Sequence, residues 1–169
     1  MVDQEFESWA RARMPGLMRA AYLLTGNQQQ AQDLTQTSLE RVCIAWRRIS
    51  TSPDAYVRVV MHREHLAKWR RPRLRELVTS SPPDPGGADA TSSVETRLVL
   101  QAALGKLTPA QRSVLVLRYY EDLSEADTAV ALGCSVGTVK SQTHKAIRAL
   151  LRSEPGLADL VGRRLPTDV

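Results

Sequence analysis

Apolar residues recur every three or four positions along most of this chain, and nowhere alternate over a useful length. Phe6, Trp9, Leu17, Ala20, Ala21 and Leu24 mark a first helical face. Pro15 predicts a break or restart within it, and Thr25-Gly26-Asn27 a stop. Ala31, Leu34, Ser38, Val42, Ala45, Trp46 and Ile49 mark a second helix. Ser50 to Asp54 interrupts the pattern, and a third helix runs from about Asp54 to Arg71, where Arg71-Pro72 ends it. Further on, Leu100, Ala103, Leu104 and Leu107 share a face. Thr108-Pro109-Ala110-Gln111 has the form of a capping box with proline at the first helical position. The helix it starts carries Val114, Leu115, Val116, Leu117 and Tyr119. The expected fold class is all-α.

Two more helices follow. Ser124 caps a short one, with Asp127 three residues on, that ends near Leu132. Gly133 supplies a left-handed turn residue, and Ser135 caps a last helix over about Val136 to Leu151. Helices joined by so short a turn cross steeply. A small residue is needed where they touch, which Ala129 provides, and Val139 suits the buried angle between them. This is the spacing of a helix-turn-helix. Val136, Val139, Thr143, Ala146, Ile147 and Leu150 predict the inward stripe of the last helix. Thr138, Lys140, Ser141, Gln142, His144 and Lys145 cover the rest. Hydroxyl, amide and ammonium groups there suit base edges and phosphates in a major groove. An ordinary amphipathic helix with a solvated face has the same pattern.

Charge sharpens this division. Residues 82–93 read PPDPGGADATSS, too poor in apolar side chains to build a core. We take 76–93 as a flexible linker between a block at 1–75 and one at 94–152, with a tail at 153–169. The first block holds 13 Lys and Arg against 7 Asp and Glu. Residues 97–152 hold 8 against 4, while 76–96 hold four acids and no base. Two basic modules on an acidic tether could both engage one large polyanion. Between Tyr56 and Arg75 stand seven Lys or Arg and one acid, Glu64, a density that points to phosphate contact. Tyr56 and Trp69 are candidates to stack an extruded base; Trp9 and Trp46 share faces with core residues.

Other chemistry is hard to place. The two cysteines, Cys43 and Cys134, form neither a disulfide framework nor a zinc spacing, which suits a reducing cytoplasm. His62 and His65 are three apart on a helix but lack a third ligand, so no metal is expected. No nucleophile–base pair, Gly-rich phosphate loop or catalytic carboxylate pair stands out, so neither an enzyme nor a cofactor is expected. The N-terminus is acidic and not a signal peptide, and no run of 18 apolar residues predicts membrane insertion.

The stretch LTPAQRSVLVLRYYEDLSEADTAVALGCSVGTVKSQTHKAIRALL resembles region 4 of bacterial RNA polymerase sigma factors of the sigma-70 family. AYLLTGNQQQAQDLTQTSLERVCIAWRRI followed by SPDAYVRVVMHREHLAKWRR resembles region 2. Two such regions with a tether and little else resemble the extracytoplasmic-function (group 4) sigma factors, in particular the small actinobacterial SigE-type members. The resemblance implies two helical domains: a region 2 domain of three or four helices and a helix-turn-helix region 4 domain. It implies that Asp33, Leu34, Gln36, Leu39, Arg41 and Val42 meet the clamp helices of the polymerase β′ subunit. The loop Arg48 to Asp54, with Arg48, Ser50, Thr51 and Ser52 as its contacts, would read and open the −10 element. So would the helix bearing Tyr56, Arg58, His62, Arg63, Lys68, Trp69, Arg70 and Arg71. Thr138 to Lys145 would read the −35 element, Ser113 to Tyr120 would seat the β flap, and an anti-sigma factor would be a further partner. The implied function is promoter recognition and opening within core RNA polymerase. A stand-alone helix-turn-helix regulator and a helical adaptor that binds only protein are the alternatives.

Overall fold

The computed structural model describes residues 4–70 and 91–158. The described residues form helices and turns without a strand, in two compact units. Most of the stretch read as linker, the −10 candidate Arg71, and the tail beyond residue 158 lie outside the described residues.

The first unit begins with α1 (Gln4–Thr25), one unbroken helix of 22 residues with Pro15 inside it. The break expected at Pro15 does not occur. Residues 11–16 are all exposed, so water can take the carbonyl that proline leaves without its amide partner. Gly26, at φ 70°, ends the helix, and its N–H donates to the Tyr22 carbonyl at 2.8 Å. Asn27 caps α2 (Gln28–Ala45), its Oδ1 accepting from Gln30 N at 3.0 Å. A 3₁₀ turn (Trp46–Arg48) and an exposed loop lead to α3 (Pro53–Arg70), capped by the Ser52 hydroxyl, which accepts from Ala55 N at 3.1 Å. Helix α2 packs on both α1 and α3. Ala20, Ala21 and Leu24 meet Ala31, Leu34 and Val42, with Val57 and Met61 closing the core from α3. Met61 is 1% exposed, and its truncation to alanine costs about 2–5 kcal/mol.

The second unit holds α4 (Thr91–Gly105), α5 (Pro109–Leu115), α6 (Glu125–Leu132) and α7 (Val136–Ser153). Helix α4 begins within the last residues of the segment read as linker. The capping box forms: Thr108 Oγ1 accepts from Gln111 N at 3.3 Å, and Gln111 Oε1 accepts from Thr108 N at 3.1 Å. The helix does not run evenly to Tyr120. It widens into a π turn over Val116–Tyr120, where Glu121 N donates back to Val116 O at 2.9 Å. Asp122 then takes φ 54°, and the Arg118 guanidinium donates to the Leu123 carbonyl. Gly133 has φ 66°, and Cys134 N donates to Ala129 O at 3.0 Å, closing α6 before Ser135 opens α7. Ala129 on α6 and Val139 on α7 are both buried. Leu107, Val114, Leu117, Ala146 and Leu150 fill the core around them. A 3₁₀ turn (Pro155–Leu157) buries Leu157 against α7.

Candidate nucleic-acid and polymerase interfaces

On α7 the inward residues are Val139, Ala146 and Leu150, with Thr143 and Ile147 half-buried. Thr138, Lys140, Ser141, His144 and Lys145 are exposed and Gln142 half-buried, so the six expected contacts share the outward part of the helix. Ser135 Oγ accepts from Thr138 N at 3.1 Å, which fixes the first turn and its positive dipole end. Lys140 Nζ lies 3.6 Å from Glu125 Oε2 on α6. Two residues depart from the expected pattern. Val136 is 39% exposed rather than part of the inward stripe. Arg148 was not among the expected contacts, yet it is exposed and continues the row Thr138, Ser141, Lys145 at helical spacing. That spacing was its signal.

Helix α3 turns two rows of side chains in different directions. Tyr56 is half-buried and Arg63, seven residues on, exposed. Arg58, Lys68 and Trp69 are half-buried. His62 is fully buried beside the core row Val57, Met61 and His65, and it is corrected from a DNA contact to a core residue. Neither of its ring nitrogens has a hydrogen-bond partner among the described residues. Burial, then the neighbouring His65 and Arg58, pull its pKa down to about 3, so it is neutral and adds nothing to the basic surface. Arg48, Ser50, Thr51 and Ser52 stand exposed in the loop before α3, with Arg47, also exposed, as a further cation beside them.

Of the expected polymerase contacts on α2, Leu34 and Val42 are buried between helices and present no surface; both are corrected to packing residues. The apolar spacing of α2 already set both on one stripe with Ala31 and Ser38; only the family resemblance had turned them toward a partner. Asp33, Gln36 and Arg41 are exposed and Leu39 half-buried. Gln36 and Leu39 line an apolar groove of about 420 Å³ between α1 and α2, together with Phe6, Met14, Met18 and Cys43. Ile44 is 75% exposed among charged neighbours, a mixture that marks protein interfaces. Arg41 pairs with Glu64 across to α3 at 2.9 Å. The segment expected to seat the β flap is mostly core. Ser113, Val114, Leu115, Val116 and Leu117 are buried, leaving Tyr119 half-buried and Tyr120 exposed. Among the described residues no group of three or more His, Cys, Asp or Glu could hold a metal, and no helix is long and apolar enough to cross a membrane.

Residues 5–75 match the model of sigma-70 region 2 and residues 97–150 that of sigma-70 region 4. The chain belongs to the sigma-70 family of RNA polymerase sigma factors, in its extracytoplasmic-function group. It is 42% identical to the RNA polymerase sigma-E factor of Streptomyces coelicolor, over 95% of this chain and 92% of that one. It is 33% identical to the ECF RNA polymerase sigma factor SigL of Mycobacterium tuberculosis, over 79% and 80% of the two chains. The fold is that of the sigma factor RpoE solved with the anti-sigma factor NepR from Bartonella quintana. The two superpose with a TM-score of 0.70 at 22% identity, over 89% of this chain and 97% of that one.

Proposed function

We propose that this protein joins core RNA polymerase in the cytoplasm, directs it to promoters through their −35 and −10 elements, and takes part in opening the duplex. One observation carries the reading. Two helical units stand in the order of regions 2 and 4, each with an exposed basic or hydrogen-bonding surface of the kind DNA takes. The protein supplies recognition, and the chemistry of RNA synthesis belongs to the polymerase; no catalytic residue or cofactor is assigned to it.

On this reading Thr138, Lys140, Ser141, Gln142, His144 and Lys145, with Arg148, meet the −35 duplex. Phosphate contacts set the register of α7, and base edges set its sequence preference. The loop Arg48 to Ser52, the α3 residues Tyr56, Arg58, Arg63, Lys68, Trp69 and Arg70, and Arg71 beyond the described helix hold the −10 strand once it unstacks. Asp33, Gln36, Leu39 and Arg41 face the β′ clamp helices, with the α1–α2 groove beside them. Tyr119 and Tyr120 are what remains to meet the β flap. An anti-sigma factor would compete for these same faces. Each DNA surface is small, so tight promoter binding needs the polymerase to hold both. Run-off transcription with core polymerase, with and without this protein, tests the reading. Promoter-specific transcript only with both is expected; nanomolar, sequence-specific DNA binding by the protein alone at physiological salt would favour a stand-alone regulator.

A further inference from the structure

The loop before α3 is held at both ends by one residue of α1. At its start, in the 3₁₀ turn, the ring of Trp46 lies 5.3 Å from that of Trp9 and 5.4 Å, edge-on, from Phe6. At its end, in the first turn of α3, Asp54 uses both carboxylate oxygens. One accepts from Trp9 Nε1 at 3.1 Å, the other from Arg13 at 2.7 Å. Trp9 and Asp54 are 45 residues apart in sequence. Between these anchors Ser50 and Thr51 are exposed, and the Ile49 N–H makes only a long bond of 3.4 Å to the Trp46 carbonyl. The shape of the loop therefore depends on its ends.

We propose that Trp9, with Asp54 and Arg13, is a positioning element that holds the Arg48 to Ser52 loop ready to receive an unstacked base of the −10 element. The proposal rests on the −10 assignment above. The Arg13–Asp54 pair is exposed at 55% and 36% of its side chains, so as a surface ion pair it adds little to global stability. The Trp9 bond is part-buried and arises from a ring already fixed by two aromatic neighbours, so it sets geometry. A loop fixed before binding does not lose that freedom on capturing a base. Trp9, Arg13 and Asp54 thus act through the loop, not on the DNA.

The test uses the full chain bound to core RNA polymerase and single strands spanning the −10 element, intact or with one abasic position at a time. Wild type is expected to lose about tenfold in affinity when the captured base is removed. Trp9→Phe keeps a ring in the cluster but removes the donor; Asp54→Ala removes the acceptor. Both are expected to lose most of that penalty, binding intact and abasic strands within about twofold, while holding core polymerase as wild type does. Asp54→Asn retains an oxygen for Trp9 but loses the Arg13 pair, and is expected to keep most of the penalty. Either folded variant decides the matter: a Trp9→Phe or Asp54→Ala holoenzyme with the wild-type abasic penalty overturns the proposal. A wild-type holoenzyme with no penalty at any position overturns the −10 loop assignment itself, and the proposal with it.

Discussion

Arg41 on α2 and Glu64 on α3 form an ion pair of 2.9 Å across the two helices. The side chains are 57% and 25% exposed, so the pair is worth no more than about 1 kcal/mol. Arg41 is therefore free to serve a partner at little cost to the fold. Arg41→Glu is expected to lower affinity for core polymerase by roughly tenfold with a small change in unfolding temperature. Glu64→Gln breaks the same pair but leaves the cation, and should bind core as wild type does. Competition for core polymerase measures both; an Arg41→Glu protein that competes as well as wild type would remove Arg41 from the interface.

His62 makes the region 2 domain sensitive to acid. Its pKa falls from 6.5 to about 3 on folding, so the unfolded chain binds a proton between these values that the folded one refuses. Its full contribution to stability is present above pH 6.5 and is lost as pH drops toward 3. Over that window the unfolded-to-folded ratio should rise by up to about tenfold per pH unit from this group alone. Denaturant unfolding from pH 7.5 to 4.5 should show a shallower acid limb for His62→Leu than for wild type. Parallel limbs would mean that His62 titrates normally.

Lys140 and Arg63 should fail in different ways. Lys140 stands on α7 beside Glu125, and on the proposed reading its replacement by alanine removes one cation from the surface offered to the −35 duplex. Promoter retention should fall, and the slope of log affinity against log salt should drop by about 0.9 if Lys140 holds a phosphate. Transcription from a promoter with a mismatched bubble at the −10 element should stay near wild type. Arg63→Ala, on the exposed side of α3, should form closed complexes normally and lose strand opening. Run-off assays on the duplex and bubble templates separate the two, and equal behaviour on both templates would refute this division of labour.

The helix-turn-helix was legible because every part of it is local. Ser124 and Ser135 cap helices through their own neighbours, Gly133 takes the left-handed conformation its lack of a Cβ allows, and Ala129 and Val139 sit at fixed spacings from it. The capping box at Thr108 was readable for the same reason. On α7 a clear separation of apolar and polar positions left little doubt about which side faces out. On α3 that separation fails. Val57, Val59, Val60, Met61 and Leu66 are spread around the helix, so periodicity does not choose a buried side. Packing against α2 chose it, and took His62 into the core.

Spacing along the chain therefore determined the helices, their caps, the turn at Gly133 and the polar surface of α7, since each depends on residues within a few positions of one another. Only tertiary structure decided that His62 is core, that Pro15 lies within a continuous helix, and that Val136 faces out. It alone brought Trp9 to Asp54. Such contacts form where helices distant in sequence meet, and the energy that selects them is burial against a neighbour, which no local pattern records.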